Sequence, residues 1–225
     1  MTKTAFVAIV GCPNVGKSSL LNRMLGQKVA IVTQKPQTTR TKIMGVLTEG
    51  ETQLVFTDTP GYHRPKTKLG EKMIKAVGDG VTGVDVCLFV TEPEGEVKET
   101  ELELLKRLKA EKAPVVLAIN KIDKDTANVE RIKQSLTEYA LVCEEWGGDT
   151  IMVPVSAVTG QGIQELLEMI LLQADVLELK ANPKRLAKGT IIEARLDKGR
   201  GPVATVLVQN GTLRIHDTIV AGTAY

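Results

Sequence analysis

Phe6-Val-Ala-Ile-Val-Gly-Cys-Pro-Asn-Val-Gly-Lys-Ser-Ser19 is an apolar run that breaks at Gly11 and restarts as the helical Ser-Leu-Leu-Asn-Arg-Met-Leu25. A strand, a tight loop and a helix are the local structures this order predicts. The loop matches Gly-x-x-x-x-Gly-Lys-Ser, in which glycines let backbone N–H groups close around phosphates while the helix N-terminus adds its positive end. The amides of Asn14, Val15, Gly16, Lys17, Ser18 and Ser19 are therefore expected to line a phosphate site. Lys17 reaches the β- and γ-phosphates in this reading, and Ser18 ligates Mg²⁺. The bland alternative is a glycine-rich turn with a stray lysine, and the flanking strand and amphipathic helix argue against it.

Composition bounds the rest. At 225 residues the chain has room for one large domain or one domain with a smaller unit. Lys+Arg 29 against Asp+Glu 27 leaves a formal charge of +2, which singles out no DNA or membrane partner and leaves RNA contact to local patches. A 43% hydrophobic but 3% aromatic composition describes an aliphatic core, as buried parallel sheets have. Cys12, Cys87 and Cys143 lack metal-ligand spacing and read as reduced thiols of a cytoplasmic protein. Neither a signal peptide nor a transmembrane segment is expected.

Along the chain, Gln27 to Thr41 is polar and threonine-rich and precedes a strand from Lys42 to Thr48. Such a segment reads as a mobile loop in which Thr38 or Thr39 offers a hydroxyl to Mg²⁺, or as an ordinary threonine-rich turn. The strand Thr52–Thr57 delivers Asp58-Thr-Pro-Gly61 to the same crevice. Asp58 is expected to hold Mg²⁺ through water, with the Gly61 N–H toward the γ-phosphate. Tyr62 to Lys68 is basic and irregular, either a solvated loop or an RNA or partner contact. A helix is predicted over Leu69–Val77, a buried strand over Val84–Val90, and a solvent-facing amphipathic helix over Glu96–Leu108, whose charges receive no function.

The strand Pro114–Ile119 carries Asn120-Lys121-Ile122-Asp123 at its end. A carboxylate there accepts from N1–H and N2–H₂ of guanine, which adenine cannot donate, and polar pairing of this kind rejects the wrong base by about 10⁴-fold. A chance polar loop is the competing reading. A helix over Val129–Tyr139 and a strand over Thr150–Val155 follow, and Ser156-Ala157 is expected to offer a backbone N–H to guanine O6. The last helix runs over Ile163–Leu172. Alternating strands and helices specify an α/β, P-loop NTPase fold with a mainly parallel sheet and helices on both faces.

From Ala174 the texture changes to a basic connector and then to β-branched alternation, Thr190–Arg195 and Val203–Val208. Asn210-Gly211 is a hairpin signal before Leu213–Val220. The expected organisation is a nucleotide-binding domain over 1–174, a linker over 175–188 and an incomplete antiparallel β-barrel of three or four strands over 189–225.

With these motifs in order, the chain resembles guanine-nucleotide-binding domains of the translation-factor class. From Met1 to about Lys121 it is similar to the Era family of ribosome-associated GTPases, carried by Gly11-Cys-Pro-Asn-Val-Gly-Lys-Ser18, Gly26-Gln-Lys-Val-Ala-Ile-Val-Thr33, Lys35-Pro-Gln-Thr-Thr-Arg40, Asp58-Thr-Pro-Gly-Tyr-His63 and Pro65-Lys-Thr-Lys-Leu-Gly70. From about Asn120 onward it resembles bacterial translation initiation factor two, carried by Glu144-Glu-Trp-Gly-Gly-Asp-Thr150, Val155-Ser-Ala-Val-Thr-Gly160, Leu167 to Pro183 and Asp197-Lys-Gly-Arg-Gly-Pro-Val-Ala-Thr205. The two meet near Asn-Lys-x-Asp, which both families share, and imply a chimera or a truncated reading frame.

The resemblance implies hydrolysis of GTP to GDP with Mg²⁺ held by Ser18, Thr39 and Asp58, and Lys17, Thr39 and Gly61 as the catalytic set. It further implies that Asn14 ligates K⁺, as in relatives with an asparagine there. The implied role is Era-like assembly of the small ribosomal subunit. The alternatives are an initiation-factor GTPase fragment touching the ribosome through Lys198 and Arg200, and a nucleotide-binding remnant without an effector. Two departures stand out. No RNA-binding KH segment follows, and Tyr62 occupies the position where the initiation factor has histidine and Era relatives an aliphatic residue, so slow hydrolysis is expected.

Overall fold

The computed structural model describes residues 3–30, 32, 43–50, 52–62, 84–95, 97–110, 114–176, 184–199 and 201–222. They fall into two compact units, Met1–Glu178 and Leu179–Tyr225.

In the first unit the apolar opening run forms β1 (Lys3–Val10), whose Val7, Ala8, Ile9 and Val10 are fully buried. Burial on both sides explains why it reads as a continuous aliphatic run and not as an alternation. Its sheet has the order β2-β3-β1-β4-β5-β6, with β2 (Ile43–Glu49), β3 (Thr52–Asp58), β4 (Val86–Thr91), β5 (Val115–Asn120) and β6 (Ile151–Val155). All neighbours are parallel except β2, which runs antiparallel to β3 at the edge. The register sets Ile9 of β1 beside both Asp58 of β3 and Leu88 of β4. The ends of β1 and β3 therefore open into one crevice, where an open α/β sheet binds its ligand.

Four α-helices are described, α1 (Lys17–Leu25), α2 (Glu99–Ala110), α3 (Val129–Thr137) and α4 (Ile163–Val176), with a short 3-10 helix at Glu144–Trp146. Each buries a stripe at helical spacing, such as Ile163, Leu166, Leu167, Ile170 and Ala174 on α4. One core cluster joins Phe89, Leu117 and Ile119 of the sheet to Leu104 and Leu108 of α2 and Ile132 and Leu136 of α3. Asn128 caps α3 by accepting from the Arg131 N–H at 2.9 Å. The charges of α2, to which sequence reading gave no role, include a structural one. Glu101 is buried, accepting from Thr91 Oγ1 at 2.8 Å and from the Lys98 N–H at 2.9 Å. The helix predicted over Leu69–Val77 lies outside the described residues.

The second unit departs from expectation. The antiparallel pairing is as expected, but among the described residues only two strands form, β7 (Lys188–Asp197) and β8 (Gly201–Asn210), with register shifts at Lys188/Gly189 and Ile191/Glu193. They are joined at Lys198-Gly199, where Asp197 Oδ1 accepts from the Gly199 N–H at 2.9 Å. Leu213–Val220, expected as a further strand, is not one. A local turn interrupts it: Asp217 Oδ2 accepts from the Arg214 N–H at 2.7 Å, and His216 has φ 76°. Asn210-Gly211 therefore makes no hairpin. Gly211 does take the left-handed conformation, but the chain beyond it forms only a parallel bridge, Thr212 to Leu186. Leu207 is buried in this unit, whereas Leu186, Leu196, Ile215 and Val220 are exposed.

Cys12, Cys87 and Cys143 are free thiols, all buried. Burial raises the Cys87 thiol from an ordinary 9.0 to about 12. An unfolded thiol ionises first, so this contribution to stability is complete below pH 9 and is lost as pH rises toward 12. Iodoacetamide at pH 8 should therefore leave Cys87 unmodified in the native protein, with peptide mapping detecting label there only after unfolding. Cys87→Ala should flatten the alkaline decline of the unfolding midpoint.

Candidate functional site

The loop between β1 and α1 curls tightly because two of its residues adopt left-handed backbone angles, Asn14 at φ 65° and Gly16 at φ 96°. Gly16 admits no side chain, since a Cβ there would stand 2.2 Å from Nδ2 of Asn120. Lys17 opens α1 and folds back into the loop, its Nζ donating to the carbonyls of Gly11 at 3.1 Å and Cys12 at 2.8 Å. Burial lowers its pKa to about 8, partly offset by the negative charge of Asp58. A ligand rich in negative charge would reverse that shift and draw the ammonium toward itself. Cys12 Sγ lies 3.3 Å from Thr100 Oγ1 on α2, and burial raises its thiol above the ordinary value.

Asp58, at the end of β3, is completely buried and accepts from Ser18 Oγ at 2.6 Å. The two expected metal-binding side chains thus converge, and their hydroxyl and carboxylate are the hard oxygen donors that suit Mg²⁺. Thr39, the third expected ligand, and its neighbour Thr38 lie outside the described residues, as do His63 to Lys68. The segment after Asp58 is pinned at two points, to the end of β1 and to the phosphate loop. Thr59 Oγ1 donates to the Ile9 carbonyl at 2.7 Å, and the Tyr62 N–H donates to that of Gly11 at 3.0 Å. Gly61 passes so close to Pro13 that a Cβ would meet the proline Cα at 2.7 Å. Tyr62, read from sequence as standing where water is positioned, is 4% exposed and joins the core cluster. The guanidinium of Arg107 on α2 sits 5.4 Å from its ring centroid.

At the far end of the crevice, the buried Asn120 side chain bridges two loops. Its Nδ2 donates to the Val15 carbonyl at 2.9 Å, and its Oδ1 accepts from the Ala157 N–H at 3.1 Å. Lys121, with φ 72°, donates from Nζ to the Asn14 carbonyl at 2.6 Å and pairs with Glu92. Asp123 accepts from Ser156 Oγ at 2.6 Å, which aims the carboxylate. The Ser156 N–H is itself donated to the Gln161 carbonyl at 3.0 Å. Both amides of the Ser156-Ala157 pair are thus engaged within the chain.

Sequence reading missed Thr59, and it missed Glu92 and Glu94, which hold the Asn-Lys-x-Asp loop from the end of β4. Glu94 accepts from Lys124 Nζ and from Thr126 Oγ1, each at 2.8 Å. Carboxylates after a strand carry no motif, and only the parallel pairing of β4 with β5 brings them to the site.

Truncating Asn120 leaves the Val15 carbonyl and the Ala157 amide without their partner. Asn120→Ala should therefore lower unfolding stability by about 3 kcal/mol. Urea unfolding followed by Trp146, the single tryptophan, measures this.

Comparison with known proteins agrees with this geometry. Residues 186–225 match elongation factor G domain 2. Translation initiation factor IF-2 of Clostridium botulinum strain Hall is 48% identical over 223 residues, 99% of this chain and 31% of that protein. The chain thus spans about a third of the length of the curated relatives it matches, and the initiation-factor likeness extends along nearly all of it. A crystal structure of Era in complex with MgGDPNP and nucleotides 1506–1542 of 16S ribosomal RNA superposes with TM-score 0.68 at 35% identity, covering 77% of this chain and 57% of that one. Elongation factor SelB of Methanococcus maripaludis, solved with the GTP analogue GppNHp, covers 96% of this chain and 44% of that one with TM-score 0.67; at 22% identity it bears on the fold alone. The Era and initiation-factor likenesses both hold, overlapping on a P-loop GTPase fold. A family model, 50S ribosome-binding GTPase, matches residues 6–121, from β1 through the phosphate loop, Asp58 and Asn120-Lys121, and the chain belongs to that family.

Proposed function

We propose that this chain binds GTP with Mg²⁺ and hydrolyses it as the GTPase module of a translation-initiation-type factor. The observation that carries the reading is the crevice where Lys17, Ser18 and Asp58 face the phosphate loop while Asn120 ties that loop to the base-reading loop. The 48% identity to an initiation factor over nearly the whole chain favours that role over Era-like assembly of the small subunit. The Era reading is kept as the second, because an Era crystal structure in complex with MgGDPNP and 16S ribosomal RNA nucleotides resembles this fold at 35% identity. Ribosome or small-subunit rRNA contact belongs to both proposals, with exposed Lys198 one candidate for it. Arg200 lies outside the described residues. Buried, unpaired thiols suit the cytoplasm, and among the described residues no helix is long and apolar enough to cross a membrane.

In this mechanism the amides of Asn14 to Ser19 and the Lys17 ammonium hold the β- and γ-phosphates and offset charge that develops in the transition state. Ser18 and Thr39 would hold Mg²⁺, with Asp58 acting through water. When bound, Mg²⁺ neutralises the phosphate oxygens. The Gly61 amide faces the γ-phosphate. The Asp123 carboxylate accepts from the guanine N1–H and N2–H₂, with Lys121 and Asn120 fixing its loop. The Ala157 N–H shifts from Asn120 Oδ1, or is shared with it, to reach guanine O6. The Tyr62 ring is committed to the core, which supports slow hydrolysis without a partner. Asn14 is exposed at the loop tip, where a K⁺ ligand would stand.

Asp123→Asn should weaken GTP binding by about 10²-fold or more while a xanthine nucleotide gains; unchanged GTP affinity in a fluorescent-nucleotide titration overturns the guanine assignment. Single-turnover hydrolysis should run faster in KCl than in NaCl, and Asn14→Ala should remove the difference. Equal rates in both salts would dismiss the K⁺ role. Co-sedimentation with ribosomal subunits in GTP but not in GDP is expected; no binding in either state supports a remnant without an effector.

A further inference from the structure

The last turn of α1 carries an exposed arginine whose guanidinium reaches across to the base-reading loop. Arg23 Nη2 donates to the Thr159 carbonyl at 2.8 Å. The guanidinium lies close over Gly160 as well, where a Cβ would come within 2.1 Å of the same Nη2. Thr159 in turn donates its N–H to Ser156 Oγ at 3.1 Å, and Ser156 Oγ donates to Asp123 Oδ1 at 2.6 Å. Three hydrogen bonds, two of them meeting at opposite sides of the Thr159 Cα, therefore link the phosphate-binding helix to the carboxylate proposed to read the base. The acceptor duty of Ser156 Oγ toward Thr159 turns its single proton toward Asp123. With that proton fixed, the carboxylate keeps its remaining lone pairs for the ligand.

We infer that Arg23 is a positioning residue for guanine selection, acting on Asp123 through Thr159 and Ser156. The inference rests on the proposed guanine site and adds to it a residue with no contact to the nucleotide. Its partner Asn22 holds a different loop, with Oδ1 accepting from the Val29 and Ala30 amides at 2.9 and 2.8 Å and Nδ2 donating to the Ala30 carbonyl at 2.9 Å. Adjacent residues of one helical turn thus address separate loops, and Asn22 supplies an internal control.

Inosine diphosphate separates the two effects, because it lacks the exocyclic amine that guanine offers to Asp123. In the full chain with Mg²⁺, Arg23→Met keeps the aliphatic stem and removes the donor. It should reduce the ratio of GDP to IDP affinity about fivefold, the worth of one hydrogen bond. Most of the loss should fall on GDP, with an unchanged melting temperature. Arg23→Lys, which retains one donor, should restore part of the ratio, and Asn22→Ala should leave the ratio intact. An unchanged ratio in Arg23→Met, an equal loss for both nucleotides, or the same ratio change in Asn22→Ala overturns the role of Arg23. Failure of the parent chain to prefer GDP over IDP would instead remove the guanine site beneath it.

Discussion

The buried amide of Asn120 is the tie on which the nucleotide crevice depends. A single side chain donates to the phosphate loop at Val15 and accepts from the base-reading loop at Ala157. Neither loop lies within a strand or helix, so neither has a ladder of its own to hold it. Placing Asn120 at the end of the buried strand β5 makes it rigid, and both loops inherit that rigidity. Gly16 completes the fit, because any side chain on it would occupy the space of the amide. Asn120 therefore closes the fold around the crevice in which its ligand role is proposed.

Preorganisation has an electrostatic counterpart at the other end. The Lys17 ammonium is held among backbone carbonyls at a burial that weakens its hold on its proton, while Asp58 beneath it is fully enclosed. Such groups lose little solvation when a ligand arrives, since they have already been stripped of most water. The strain of the left-handed Asn14 and Lys121 serves the same end: their backbone turns bring the Asn14 carbonyl to the Lys121 ammonium.

Much of this was legible in the sequence for a physical reason. Parallel strands buried on both faces are continuous aliphatic runs, and the candidate segments begin where those runs stop, so Lys17, Ser18, Asp58, Asn120 and Asp123 can be picked out by position; the structure brings Ser18 to Asp58 and Asn120 to the Val15 carbonyl. The misses have physical causes too. Tyr62 stands at the head of a basic, irregular segment and so read as part of a loop, but its ring packs into the core beside Arg107. Leu213–Val220 alternates like a strand, yet a local hydrogen bond from the Arg214 N–H to Asp217 outcompetes extension where no neighbouring strand among the described residues pairs with it. Glu101 read as one charge among many on α2 because its burial depends on Thr91, which arrives from another strand. Arg23 read as an ordinary helix residue because its acceptor is a carbonyl 136 positions away.

Three side chains stitch the early and late parts of the G domain together: Asn120 on the Val15 carbonyl, Lys121 on that of Asn14, and Arg23 on that of Thr159. In each case the group received is main chain, which every residue type supplies. The Era-like and initiation-factor-like portions can therefore diverge at Val15, Asn14 and Thr159 without breaking the stitches, provided the backbone path is kept. Compatibility between the early and late parts is then a property of shape inherited with the fold, and side chains at these points can change on one side without a matching change on the other.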